Sequence, residues 1–269
     1  MDPGPLRDVL TAVLGFFTGV LSGAFGVGGA VLSTPGIRAL GVAPIVAVGT
    51  TLPSIFPSAA TGAWRYSRER LIDRTAVILT VPTGLVAAVV GALLSDHVPG
   101  GGHVLMLFTA ALLLFTAVRM ARPPAAPAAA EADVEAASDH EGGHHRSRPA
   151  FAGVGVAAGL LSGLLGIGGG VVMVPGFSQI AGLSIKSAVA TSLVCVAAFA
   201  IPGTVTHALL GHIDWRVALI LTVAVIPGAR VGSALALRAS DVGLRRAVAV
   251  FLGVIAVVYA VGEVASLAS

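Results

Sequence analysis

The chain has 269 residues, of which 56% are hydrophobic and 11% are charged, and its mean hydropathy is +0.95. A water-soluble domain carries about 25% charged residues, so this composition excludes an ordinary soluble globular protein. The formal net charge is +3, but the basic residues lie mostly between apolar runs. That distribution argues against nucleic-acid binding and is typical of membrane-protein loops. The single cysteine, Cys195, excludes an internal disulfide.

Eight apolar segments follow one another along the chain. Their ranges are roughly 9–37, 43–64, 75–95, 104–119, 150–176, 187–206, 217–237 and 247–262. A helix that crosses a bilayer needs about 18 or more apolar residues, and most of the segments reach that length. The two shortest reach it if flanking arginines extend them toward the headgroups. The pattern predicts an all-α, polytopic helical membrane protein.

The first four segments and the last four share motifs. Residues 19–29 read GVLSGAFGVGG, and residues 159–169 read GLLSGLLGIGG, an offset of 140. At an offset of 141, AVGTTL at 47–52 matches AVATSL at 188–193. The pair Ile72-Asp73 recurs at the same offset as Ile213-Asp214. These matches predict two related repeats of four segments each.

The repeats flank a polar stretch. Residues 121–148 are rich in Pro, Ala and charged residues and contain few large apolar ones, so they cannot form a core. We therefore divide the chain into a first transmembrane repeat, 1–120, a disordered polar linker, 121–148, and a second transmembrane repeat, 149–269.

Counts of basic residues compare two topologies. If all eight segments cross, ten basic residues lie on one side and five on the other. If the first segment of each repeat is broken and re-entrant, the division is twelve against three, with Arg7, Arg38 and Arg216 on the minor side. The major side then holds Arg65, Arg68, Arg70, Arg74, Arg119, Arg122, Arg146, Arg148, Lys186, Arg238, Arg245 and Arg246. The second division fits the positive-inside rule better and predicts inverted repeats, a common transporter architecture.

Each first segment contains a glycine knot, 26–29 in the first repeat and 166–170 in the second. Each glycine destabilises a helix by roughly 1 kcal/mol, so we expect the chain to unwind there. The N-terminus of the half-helix that follows would favour an anion. The candidate substrate-binding glycines are Gly26, Gly28, Gly29, Gly166, Gly168 and Gly169. The glycines that precede each knot at four-residue spacing, 15, 19, 23 and 155, 159, 163, are expected to allow close helix packing.

Two nucleotide-binding interpretations compete for the glycine knots. A dinucleotide site needs a third glycine in register and an acidic residue about 20 positions downstream. Here the third glycine is out of register, and the first downstream acid is Asp73. A phosphate-binding loop needs a lysine that is absent. Both interpretations are rejected.

The duplicated pattern G-x-x-S-G-x-x-G-[VI]-G-G, followed by Pro-Gly and then A-V-x-T-[ST]-L, resembles the TauE/SafE family of sulfite exporters, also called TSUP transporters. The resemblance covers nearly the whole chain outside the linker. It implies an inner-membrane permease for small sulfur-containing anions such as sulfite or sulfoacetate. Ala30 departs from the family pattern, because the second repeat has Gly170 there. That departure predicts some asymmetry between the two breaks.

Hydroxyls at matched positions supply further candidates. Thr50 and Thr51 match Thr191 and Ser192, and all four could donate to a sulfonate or sulfite oxygen. The competing interpretation is that each bonds a carbonyl one turn back in its own helix. Ser22 and Ser162, just before the knots, are weaker candidates.

Arg230 lies well inside the segment 217–237, where a charge is expensive and usually functional. It is a candidate counter-charge for the anion. Its repeat mate is Val89, however, so it lies outside the duplicated set. Pairing with a carboxylate, or extension toward the membrane surface, is the alternative role.

These observations predict a secondary membrane transporter for a small sulfur-containing anion in the cell membrane. Alternatives are a transporter or channel for a metal cation or neutral metabolite, and a membrane enzyme. A cation transporter would need carboxylates within the apolar segments, and an enzyme would need paired histidines, several cysteines or a carboxylate cluster there; the segments lack them. A neutral metabolite requires none of these groups, so that alternative stays open. We expect no catalytic residue, no cofactor and no metal. The expected partners are the anion and the lipid bilayer, with a homodimer as a candidate assembly and no nucleic acid.

Overall fold

The computed structural model of the protein describes residues 4–95, 103–121, 148–165 and 169–268. Within these ranges every regular element is a helix. The first predicted repeat contains α1 (Pro5–Phe25), α2 (Ala30–Ala39), α3 (Pro44–Arg68), α4 (Arg74–Ser95) and α5 (His103–Ala121). The second contains α6 (Arg148–Leu165), α7 (Gly170–Pro175), a π-helical segment (Gly176–Ile180), α8 (Ile185–Leu209), α9 (Trp215–Arg238) and α10 (Asp241–Ala268). The predicted all-α fold is confirmed.

Six of the described helices are long and apolar enough to cross a membrane, judged by length and composition. They are α1, α3, α4, α8, α9 and α10. Large apolar side chains such as Ile78 and Val223 are exposed on their outer faces, as expected for a lipid-facing surface. Residues 122–147, most of the predicted linker, lie outside the described residues.

The first apolar segment of each repeat is interrupted, as predicted. Residues 26–29 separate α1 from α2, and α2 turns back beside α1, because a Cβ placed on Gly36 would lie 2.6 Å from a Leu14 methyl carbon. In the second repeat a Cβ placed on Gly176 would lie 2.9 Å from the methyl carbons of Val154. Both first segments therefore fold back as helical hairpins.

Contacts near the helix ends show which loops share an end of the molecule. Asp8 Oδ2 lies 2.6 Å from Arg216 Nη2, so α1 and α9 start at one end. Since α9 is about 36 Å long, α10 starts at the opposite end, and there Lys186 Nζ lies 3.7 Å from Asp241 Oδ1. Ser187 Oγ donates to the Leu71 carbonyl (2.6 Å), which brings the loop after α3 to that same end. Arg7 and Arg216 thus lie at one end and Lys186 at the other, on the sides that the division of twelve against three predicts for these three residues. The inverted relation of the repeats stays a prediction.

The most extensive helix contacts all join one repeat to the other. α1 packs on α9 and α6 on α4, α3 packs on both α8 and α9, and α5 packs on α10. Exchanging each helix for its repeat mate maps the pairs α1–α9, α4–α6, α3–α8 and α5–α10 onto one another, whereas the mate of the α3–α9 pair, α4–α8, is less extensive. One hydrophobic core therefore runs through both halves, and it includes Phe151, Phe177, Leu193 and Tyr66.

The glycines before each knot lie where α1 packs on α9 and where α6 packs on α4. A Cβ on Gly19 would collide with the Val225 carbonyl oxygen of α9, and one on Gly159 would collide with the Gly84 carbonyl oxygen of α4. A side chain at either position would push the two backbones apart. The close-packing role predicted for these glycines is confirmed at Gly19 and Gly159.

Candidate functional site

The first glycine knot forms a sharp, buried turn between α1 and α2. Gly26 has φ +68° and closes α1 by donating its N–H to the Ser22 carbonyl (2.9 Å). Gly28 has φ +78°, a left-handed conformation that side chains disfavour. Gly29 then precedes α2, whose first residue, Ala30, is buried. The N-terminus of α2 thus lies inside the protein.

Helix α8 of the other repeat holds this turn in place. Ser192 Oγ lies 2.8 Å from the Gly26 carbonyl oxygen and 2.9 Å from the Val189 carbonyl oxygen. A Cβ on Gly26 would collide with Ser192 Oγ. Because Ser192 has only one hydroxyl hydrogen, its donor is already committed to backbone carbonyls. Its role in this structure is to position the turn.

The two helix breaks meet in the interior. A Cβ placed on Gly170, at the start of α7, would lie 2.5 Å from the Val27 carbonyl oxygen and 2.6 Å from that of Gly26. Gly169 has φ +64° and precedes α7 directly. The candidates Gly166 and Gly168 lie outside the described residues. The described parts of both breaks therefore share one location.

Thr50 and Thr191 make reciprocal hydrogen bonds between the repeats. Thr50 Oγ1 accepts the backbone N–H of Asp214 (2.9 Å), and Thr191 Oγ1 accepts that of Asp73 (3.1 Å). Both threonines are fully buried. Each pair joins a helix of one repeat to the loop before α4 or α9 of the other. The structure therefore gives these hydroxyls a connecting role that neither sequence interpretation anticipated.

Thr51 behaves partly as the competing interpretation predicts, because its hydroxyl bonds a carbonyl of its own helix. Its Oγ1 donates to the Val48 carbonyl of its own helix (2.9 Å) and lies 3.2 Å from Thr34 Oγ1 on α2. Thr51 therefore links α3 to the helix that leaves the first break.

Arg230 is not brought to the breaks. Its side chain lies on the exposed face of α9, whereas the neighbouring Ala229 is fully buried and faces Gly23 of α1. Since the charge points away from the α1–α9 contact, the structure does not place it beside a substrate in the interior.

Three buried hydroxyls lie near the first break, and the sequence pattern identified only one of them, Ser22, as a weaker candidate. Thr18, Ser22 and Ser58 are each 1% exposed, and their hydroxyl oxygens have no hydrogen-bond partner in the described part of the chain. Thr18 and Ser22 are four residues apart on α1, directly before the glycine knot, which was a readable signal. Ser58 carried no sequence signal, because a lone serine in an apolar helix usually bonds its own backbone.

The surroundings of the break carry no described carboxylate. The acidic side chains that the structure describes lie at helix ends or in loops, at Asp8, Glu69, Asp73, Asp214 and Asp241. In the described residues no group of three or more His, Cys, Asp or Glu side chains could hold a metal ion. The polar groups at the break are backbone amides, carbonyls and hydroxyls, and of these the amides and hydroxyls are donors suited to an anion.

Apolar helices long enough to span a bilayer, combined with interrupted helices packed in the interior, define a multi-pass membrane protein with broken helices, an architecture common among transporters. The profile of the sulfite exporter TauE/SafE family matches residues 11–259. The chain belongs to that family, as the sequence motifs predicted.

Curated relatives agree with the transporter class. The chain is 29% identical over 241 residues to the probable membrane transporter protein YunE of Bacillus subtilis, covering 84% of this chain and 86% of that protein. It is 27% identical over 260 residues to a probable membrane transporter protein of Methanocaldococcus jannaschii, covering 91% and 92%. No solved structure gives a significant match to this chain.

Proposed function

We propose that this protein is a secondary transporter of a small sulfur-containing anion, such as sulfite or an organosulfonate, in the cell's inner or plasma membrane. The observation that carries the proposal is the interior start of α2, where Ala30 and Val31 are buried beside the first break. The first N–H groups of a helix have no acceptor within it, and the helix dipole adds partial positive charge there. Such a terminus attracts an anion without a fixed cation.

A site built from neutral donors suits transport. Arginine would add a full opposite charge and a bidentate geometry to its hydrogen bonds with the anion, which slows release. Amide and hydroxyl donors bind more weakly and leave no buried charge when the site is empty. The exposed position of Arg230 is compatible with this view.

Alternating access requires the hydrogen bonds between the repeats to exchange during the cycle. The bonds between the repeats include those of Thr50 with Asp214 and of Thr191 with Asp73, and at the first break the bond of Ser192 with the Gly26 carbonyl. Each contributes about 1 kcal/mol net, so the exchange of any one of them has a small free-energy cost.

The test is flux in proteoliposomes that contain the purified protein, with sulfite, sulfoacetate, thiosulfate and sulfate compared side by side. We expect saturable uptake of at least one of them, and little uptake of a divalent metal cation or a neutral sugar. Uptake of a cation or neutral solute, with none of the four anions, would support the alternative function and refute this one.

A substitution at the knot gives a matched comparison. Gly28→Leu should abolish flux, because Gly28 has φ +78° and a Cβ there would lie 3.0 Å from a Val196 methyl carbon. Gly211→Leu is the control, since Gly211 has φ +72° with no atom within 4 Å of an added Cβ. Both proteins should insert into the membrane. Flux that survives Gly28→Leu would place the site elsewhere.

A further inference from the structure

The unpartnered hydroxyls at the first break stand out against the rest of the interior. Fourteen serine and threonine side chains are buried in the described residues, and all but four of their hydroxyls have a hydrogen-bond partner. The exceptions are Thr18, Ser22, Ser58 and Ser178. Burial of an unpaired hydroxyl is unfavourable, and nearly all such groups in proteins find a partner.

Two of the four residues, Thr18 and Ser22, lie next to the turn that leads into α2. A Cβ placed on Gly29 would lie 2.5 Å from Thr18 Cγ2, so the Thr18 side chain abuts the residue that precedes α2. Ser22 lies one turn further along α1, and its carbonyl accepts the Gly26 N–H at 2.9 Å. Thr18 and Ser22 therefore flank the turn on the α1 side.

The third hydroxyl comes from α3, which runs alongside this part of α1. A Cβ on Gly62 would lie 3.5 Å from Gly23 Cα, and Tyr66 Oη donates to the Gly23 carbonyl at 3.1 Å. Ser58, Gly62 and Tyr66 are spaced four residues apart and so share one helix face. That face places Ser58 beside α1, one turn from the Gly62 contact.

The second repeat keeps only one of these three hydroxyls, that of Ser162, the mate of Ser22. At the offsets of 140 and 141 residues, Ala158 is the mate of Thr18 and Phe199 is the mate of Ser58. Both mates are buried, and a Cβ on Gly84 would collide with the Phe199 ring. Apolar side chains therefore pack well at these two positions, so packing alone does not require Thr18 and Ser58 to be polar.

We infer that the first break holds an oxyanion-binding site made by the hydroxyls of Thr18, Ser22 and Ser58 together with the amides that begin α2. The inference rests on the proposed function and names the half of the molecule that binds the anion. A hydroxyl rotates to donate, and an amide N–H is a donor only, so together these groups complement the oxygens of a sulfite or sulfonate group. With no described carboxylate beside them, they do not suit a cation.

The test compares unpartnered hydroxyls with paired ones on the same helices. Thr18→Val and Ser58→Ala remove hydroxyls of the site. Their controls are Thr11→Val, whose hydroxyl donates to the Arg7 carbonyl (2.7 Å), and Ser54→Ala, whose hydroxyl donates to the Thr51 carbonyl (2.7 Å). All four side chains are 1% exposed.

The readout is the half-saturation concentration for radiolabelled sulfite uptake into proteoliposomes. Each hydrogen bond to a charged group is expected to change affinity by roughly 10- to 100-fold. We expect Thr18→Val and Ser58→Ala to raise the half-saturation concentration by at least about tenfold, and Thr11→Val and Ser54→Ala by less than about threefold. Ser58→Thr keeps a hydroxyl and should stay within about threefold of the native protein.

Thermal stability without ligand separates binding from folding. Replacing an unpaired buried hydroxyl with an apolar group should leave the melting temperature unchanged or raise it. Sulfite should raise the melting temperature of the native protein and lose that effect in Ser58→Ala. If native flux is normal and the site variants behave like their controls, the inference is wrong and the proposed function stands. If the native protein moves no sulfur anion, both are wrong.

Discussion

Gly26→Ala probes how tightly the first break is built into the fold. The substitution carries two penalties: alanine in the left-handed conformation at φ +68°, and a Cβ that collides with Ser192 Oγ and lies 2.9 Å from the Val189 carbonyl oxygen. The backbone term is about 1–2 kcal/mol, and overpacking adds about 1–3 kcal/mol. The free energy of unfolding should therefore fall by roughly 2–5 kcal/mol.

Gly211→Ala separates the backbone penalty from the overpacking penalty. Gly211 has φ +72°, but an added Cβ would meet no atom within 4 Å, so only the backbone penalty applies. Gly26→Ala should thus be less stable than Gly211→Ala by about 1–3 kcal/mol, or roughly 2–12 °C in apparent melting temperature. The assay is the fraction of protein that remains monodisperse on size-exclusion chromatography after heating in detergent.

A double variant checks the origin of the extra term. Gly26→Ala combined with Ser192→Ala removes the colliding hydroxyl, so the pair should be less destabilised than the sum of the single changes. Equal melting temperatures for Gly26→Ala and Gly211→Ala, or strict additivity in the double variant, would contradict the contact between the break and α8.

Three further outcomes follow from the packing. Gly19→Ala should destabilise the protein by about 1–3 kcal/mol, because its Cβ would collide with a backbone carbonyl of α9. Gly153→Ala is the control: an added Cβ there meets open space, so this variant should be neutral or stabilising in the same heating assay. Thr50→Val should cost about 1–3 kcal/mol, because it removes the acceptor of the Asp214 N–H; an unchanged melting temperature would refute that role. Arg230→Leu should leave the half-saturation concentration for sulfite within about twofold of the native value, since the Arg230 side chain is exposed. A tenfold rise would show that Arg230 contributes to the site.

The fold was largely predictable because it depends on signals that are local in the chain. Hydropathy marks the helices, and the glycines at 26–29 lower helix stability enough to locate the first break. The close approach of α1 to α9 was readable as a packing tendency from the four-residue spacing of glycines, but the partner helix was not.

The hydroxyl partners were less predictable because they are distant in sequence. The Thr50–Asp214 bond joins residues 164 positions apart, and the Thr191–Asp73 bond joins residues 118 apart. Both members of each pair recur at the 141-residue offset, so the duplication marked these positions as matched, but it did not show which residues bond to each other. For Arg230, a helix that is apolar on every side gives no indication of which face is buried.

The exchange of helices between the repeats has a consequence for how such a protein could arise. The contacts of α1 with α9 and of α6 with α4 are those that two identical subunits would make in a domain-swapped dimer. If the predicted repeats descend from one duplicated unit, that unit would have had to dimerise before either broken helix was enclosed. Joining the two copies in one chain raises their effective concentration without adding a contact. It also allows each copy to diverge, so that the positions of Thr18 and Ser58 in one copy are occupied by Ala158 and Phe199 in the other.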